Sequence, residues 1–259
     1  MSVATSLFET RFVPADVGDQ PPDFEWEGAE YYIGPVEEIT PYIKWLGNKT
    51  TCGVQTICSG VMLWGARRLE RFVPAAHNFE LAAAGFVGQT SRYAVDVQAG
   101  PMQKVPDGPK ELAAMVALNT QLRRALDMDE WWISYYQPVM ELSHLVHLTR
   151  HILPGSHLTA FDAWLAEVVR RVDGVAPKPS TPERDIEEFP GLAAYADYVA
   201  PHRGQPLPPD ILDTGQPFEP DGHVARAIEA AQAIRATRNR YLRTESEVAA
   251  LEAEAGEGQ

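Results

Sequence analysis

Cysteine is almost missing from this chain: Cys52 and Cys58 are the only two. Two thiols form one bridge at most, which excludes a disulfide-stapled scaffold, and their spacing is that of neither a zinc knuckle nor a redox pair. Two buried thiols in a reducing compartment are the simplest account, and the expected location is cytoplasmic. Basic residues are also scarce. Lys and Arg number 22 against 36 Asp and Glu, a net charge of −14. Such a field repels phosphate backbones, so no nucleic-acid partner is expected.

Long apolar runs are lacking too. The nearest approach is Thr50 to Ala66, 17 residues without a charge. It contains Gln55, Ser59, three threonines and Gly53, Gly60 and Gly65. That composition reads as a helix buried in a protein core, with small residues that let a neighbouring helix approach, rather than as a membrane span. Met1 to Phe12 has no basic region followed by an apolar stretch, so no secretory signal is read there.

Familiar catalytic motifs are absent as well. There is no phosphate loop, no dinucleotide-binding glycine pattern, no Gly-x-Ser-x-Gly and no His-Glu-x-x-His. Nor do strand and helix patterns alternate as a parallel sheet requires. Most nucleotide-dependent enzymes and α/β hydrolases are thereby disfavoured, and the balance leans away from an enzyme.

What the chain does have is ordinary globular material: 259 residues, 45% apolar and 22% charged, ample for a substantial core. Four stretches differ in character. Residues 1–42 form an acidic arm with five prolines and nine carboxylates against one Arg11. Within it, Phe24 and Trp26, then Tyr31 and Ile33, alternate on either side of Gly28, as two short strands joined by a turn would. Residues 43–173 read as a helical core. Residues 174–220 are rich in proline, with one short helix. Residues 221–259 read as a long C-terminal helix packed on the core, which the pair Thr244 and Glu247 could restart as a new helix.

Helix boundaries follow from prolines and caps. Helices are predicted from Thr50 to Phe72, about Ala75 to Gln89, Pro109 to about Leu126 and Asp129 to about Leu153, the last kinked or split at Pro138. Ser156 is read as the cap of a further helix ending near Val172. The fold class is therefore mainly α: an irregular multi-helix bundle with a small extended or β element at the N-terminus. The segment Phe72 to His77 resembles Ile152 to His157, which raises the question of a duplicated helical hairpin.

Three features could carry function. The first is a row on one helix. His144, His147 and His151 lie at i, i+3 and i+7 and share a face, with Glu141 one turn earlier. Imidazoles at i and i+4 can grip a transition metal, and Glu-x-x-His is the spacing of di-iron bundles. A second such motif is missing, so a mononuclear metal site is what the row could offer. The bland alternative is a polar face opposite the apolar stripe of the same helix.

The second feature is aromatic: Trp131, Trp132, Tyr135 and Tyr136 are too close in sequence to face one way. Some must meet another element or a partner, and interfaces favour these residues. The third is Arg235, Arg238, Arg240 and Arg243, which either bind a phosphate or an acidic partner or pair within the chain with the acidic arm, Glu229 or Glu245. The leading functional expectation is a non-catalytic binding module that docks on another protein, of the acidic inhibitor or immunity type, without a cofactor. The alternatives are a metal-dependent enzyme or sensor using the histidine row, and a structural subunit of a larger assembly.

Overall fold

The structure, a computed structural model, describes residues 11–28, 36–91, 93–100, 108–127, 136–180, 184 and 186–257. Among these, nine α-helices account for the architecture: α1 Val36–Leu46, α2 Thr51–Leu69, α3 Ala76–Gly88, α4 Lys110–Leu126, α5 Tyr136–Ile152, α6 Gly155–Val175, α7 Leu192–Arg203, α8 His223–Arg235 and α9 Glu245–Glu257. Strand pairing among the described residues is limited to two isolated bridges, Lys49 with Pro177 and Val95 with Leu242. The chain is mainly α. The predicted element at Tyr31 and Ile33 lies outside the described residues, and Phe24 and Trp26 sit in chain without helix or strand.

The uncharged stretch becomes the centre of the molecule. Thr50 caps α2, its hydroxyl accepting from the Gly53 amide at 3.3 Å. From Cys52 to Ala66 every residue of α2 is buried, because α3, α4, α5 and α6 all pack on it. A helix apolar on every side has this as its stable environment. A methyl group on Gly53 would lie 2.8 Å from Val172 Cγ1, and one on Gly60 2.8 Å from the Trp164 ring, both on α6. On Gly65 it would lie 2.6 Å from Leu118 of α4. The small residues therefore set how near these two helices come. No helix among the described residues is long and apolar enough to cross a membrane.

Several boundaries depart from the sequence reading for local reasons. α1 begins at Val36, with Pro41 inside it, seven residues before the pattern turns helical at Ile43. α5 is described from Tyr136, two residues before Pro138, and the part of the predicted helix before it, residues 129–135, lies outside the described residues. Ser156 lies inside the first turn of α6 and Pro154 occupies the cap position. The C-terminal helix is two helices. Thr244 and Glu247 make reciprocal bonds, Thr244 N to Glu247 Oε2 at 2.7 Å and Glu247 N to Thr244 Oγ1 at 3.3 Å, which start α9 afresh. The two similar junctions are unequal: six residues separate α2 from α3, whereas two separate α5 from α6.

The irregular segments are fixed by buried arginines. Arg171 of α6 donates to the carbonyls of Ile211, Asp213 and Gln216, and the Trp164 indole donates to Leu212 O at 2.9 Å. These bonds hold the proline-rich chain around the short 3-10 turn Pro209–Leu212 against α6. Arg123 of α4 does the same for residues 97–100, donating to Val97 O and Gly100 O. Buried carbonyls outside helices need such donors, and a guanidinium supplies several at once. Lys49, fully buried between α1 and α2, pairs with Asp173 at 2.9 Å and donates to Asn48 Oδ1 at 2.5 Å. Burial lowers its pKa and Asp173 works against that shift.

Candidate functional site

The histidine row lies on α5, and the helix is enclosed more completely than its pattern implies. Leu142, Ser143, His144, Leu145, Val146, Leu148 and Thr149 are all buried, since α1, α2 and α4 pack around it. The polar face expected opposite the apolar stripe is thus partly interior. Glu141 is 1% exposed and His144 7%. Their side chains stand 3.5 Å apart, Glu141 Oε2 to His144 Nδ1. Cys58 of α2 lies close enough to Glu141 that the carboxylate adds to the effect of burial in pushing the thiol pKa well up.

The other two histidines go elsewhere. His147 is half-buried. His151 reaches away from the bundle, its Nε2 2.7 Å from the carbonyl of Glu25 and its ring edge-on to Phe24 at 5.8 Å. The row that shares a helix face is therefore divided between the interior and the N-terminal segment. Among the described residues no group of three or more His, Cys, Asp or Glu is placed to hold a metal ion. Trp131, Trp132 and Tyr135 lie outside the described residues; Tyr136 starts α5, and its side chain is also outside them.

Two polar clusters escaped the sequence reading because their members are far apart in the chain. At the first turn of α6, Ser156 Oγ lies 3.1 Å from His157 Nδ1, and His157 Nε2 lies 3.2 Å from Asp16 Oδ1. The order Ser–His–Asp matches an acyl-transfer relay. Here, however, serine and histidine are chain neighbours, Gln20 also donates to Ser156 Oγ at 3.2 Å, and the Asp16 side chain is 68% exposed. The hydrogen bond from His157 holds Asp16 below its usual pKa. What these bonds accomplish is to tie residues 16–20 to α6.

The second cluster joins α3 to the C-terminal region. Arg240 pairs with Glu80 and donates to His77 Nε2 at 3.1 Å. The ring proton then sits on Nδ1, which has no hydrogen-bond partner. Burial lowers the His77 pKa, the Arg240 and Arg123 charges lower it further, and Glu80 opposes them. A neutral imidazole whose acceptor nitrogen is taken offers neither an acid nor a base. Alongside runs a partly buried chain of side-chain bonds: Asn119 donates to Asn78 Oδ1, Arg123 to Asn119 Oδ1 and Arg123 to the Tyr241 hydroxyl.

Two of the four arginines near the C-terminus, Arg240 and Arg243, pair within the chain, though with other partners than their neighbours in sequence. Arg240 meets Glu80, while Arg243 donates to the carbonyls of Tyr93 and Val95 and lies 3.7 Å from Asp96. The chain matches no family model, no curated protein and no solved structure.

Proposed function

We propose that the chain is a non-catalytic binding module whose acidic exterior docks on a basic protein, in the manner of an inhibitor or immunity protein. The observation that supports this reading is the direction in which its cations point. Lys49, Arg68, Arg123 and Arg171 are buried, and the last three spend their guanidinium donors largely on backbone carbonyls. Arg203 and Arg243 also donate to carbonyls, and Arg67, Arg150, Arg226 and Arg240 pair with neighbouring carboxylates.

With 36 carboxylates against 22 cations and many of those cations turned inward, the outward field is negative. Helix α9 is an example: Glu245, Glu247, Glu252 and Glu254 all face solvent, while Val248 is buried. A field of this kind steers association with a positively charged surface and makes it salt-sensitive.

The test is capture on the immobilised chain followed by mass spectrometry, at low and at high salt. The expected result is a basic protein bound stoichiometrically at low ionic strength, released by salt, and weakened at least about tenfold when Glu252 and Glu254 are both changed to Lys. A chain that stays solitary at every salt concentration sinks the proposal.

A further inference from the structure

We infer that the groove running across the ends of α2, α4, α5 and α6, filled in the folded chain by residues 12–25, is a recognition site for an irregular, carboxylate-bearing peptide segment. A partner's segment of that chemistry takes the place of the chain's own. This inference is independent of the acidic exterior, and the two make opposite demands on charge.

The argument starts from how residues 12–25 are held. They form no helix or strand, and their internal backbone bonds are two turns, Val17 N to Pro14 O and Asp19 N to Asp16 O. Their remaining polar contacts are mostly with the body, and nearly all run one way. Arg68 donates to Gln20 O at 2.6 Å and to Pro21 O at 3.1 Å. Lys110 donates to Phe24 O at 2.6 Å, and His151 meets Glu25 O at 2.7 Å. Arg71 pairs with Asp19, and His157 with Asp16. The exception is Gln20, which donates to Ser156. The body thus presents donors and positive charge, and the segment presents carbonyls and carboxylates.

Apolar anchors fix the two ends, and Val13 and Val17 are buried between them. Phe12 stacks on Trp164 with centroids 5.2 Å apart and planes 11° from parallel. Phe24 is buried beneath the Lys110 ammonium, 5.0 Å from its ring centroid. Side chains that read carbonyls, pair with carboxylates and seat an aromatic ring at either end are the means by which acidic peptide motifs are recognised. In a chain of net charge −14, several cations converge here on one strip of backbone, as Arg123 and Arg243 do on residues 93–100.

A segment whose hydrogen bonds to the body, among the described residues, run through side chains, and which has no ladder or helix of its own, can be exchanged without breaking secondary structure. The test uses the whole chain with a protease site inserted between Gly28 and Val36, cut under native conditions. The probe is a fluorescent synthetic peptide of residues 11–28, followed by anisotropy. The cut chain is expected to bind it saturably. The uncut chain, whose tethered segment competes at an effective concentration in roughly the millimolar range, should bind at least about tenfold more weakly.

A peptide with Asp16→Asn, Asp19→Asn and Asp23→Asn should bind the cut chain at least about tenfold more weakly than the parent. A scrambled peptide of the same composition should not bind. Failure of the labelled peptide to exchange in a day, equal binding of the neutral or scrambled peptide, or loss of cooperative unfolding on cutting would each overturn the inference. The last outcome would make the segment a permanent part of the core.

Discussion

Arg123 donates to the Tyr241 hydroxyl at 3.0 Å while its guanidinium lies over the same ring, 5.2 Å from the centroid. The two residues are 118 positions apart. One cation thereby joins α4, the irregular residues 97–100 and the chain after α8. Arg68 and Arg171 act in the same way at two other seams: each is a helical arginine, buried, with most of its donors on carbonyls of irregular chain. A buried guanidinium is costly to desolvate, so its removal is felt mainly through the carbonyls it leaves unsatisfied.

Arg68→Met should therefore destabilise the protein by about 3 kcal/mol, as the carbonyls of Ile152, Gln20 and Pro21 lose their donor. Urea unfolding measures the loss. Limited proteolysis should locate it, with new cleavage confined first to residues 12–28. A stable variant with an unchanged cleavage pattern would show that Arg68 does not hold that segment.

Gly60→Ala should cost about 1–3 kcal/mol, because the added methyl meets the Trp164 ring at 2.8 Å and Leu212 at 2.9 Å. Trp164→Phe removes the part of the indole that it strikes, although it also forfeits the bond to Leu212 O. The double variant should be more stable than the sum of the singles by about 1 kcal/mol. Strict additivity would mean that the close approach is not what fixes glycine at this position.

Glu167 supplies a pH dependence. Hydrogen bonds from Arg170 and Arg171 hold its pKa down at about 2, against 4.5 for the free side chain. A carboxyl depressed in the folded state adds stability above its unfolded pKa and loses it as pH falls through the folded one. The carboxylate is partly exposed, so its worth is at most about 1 kcal/mol. Glu167→Gln should lower the urea midpoint at pH 7, and the deficit should shrink between pH 4.5 and about 2. A deficit unchanged over that range would assign the loss to packing.

Both thiols should be silent in the native protein. Burial pushes the Cys52 pKa up to about 12 and that of Cys58 well above its ordinary value, so neither forms the reactive thiolate near neutrality. A colourimetric thiol reagent should count none in native buffer and two in guanidinium chloride. Rapid labelling of either thiol without denaturant would contradict the packing around α2.

Elements with a strong period were legible in the sequence. Thr50 to Ala66 declared itself as a central helix by having no charge on any side, and Thr244 with Glu247 marked the start of α9. The contacts that organise the irregular chain were not legible. Arg171 reaching Gln216, or Arg68 reaching Gln20, leaves no periodic trace, because a guanidinium-to-carbonyl bond depends on where two distant segments meet.

The candidate site was legible in the same partial way. Helical spacing put Glu141 and His144 near one another, and they are. It could not show that neighbouring helices would enclose them while His151 turned to Glu25, since a pattern along one helix does not identify what packs against it.

The glycines of α2 have a consequence for anyone who alters this protein. Gly53 and Gly60, two turns apart, face α6, and Gly65 faces α4, so the distances between the central helix and these two neighbours are set by side chains that are missing. Volume added at any of the three must be removed from Val172, Trp164 or Leu118. The interior thus behaves as a mould with paired positions that can only be changed together, whereas Glu252 and Glu254 on the outside of α9 can be varied singly. A mutational library would recover these couples as compensating pairs and leave the exterior free for redesign of whatever it contacts.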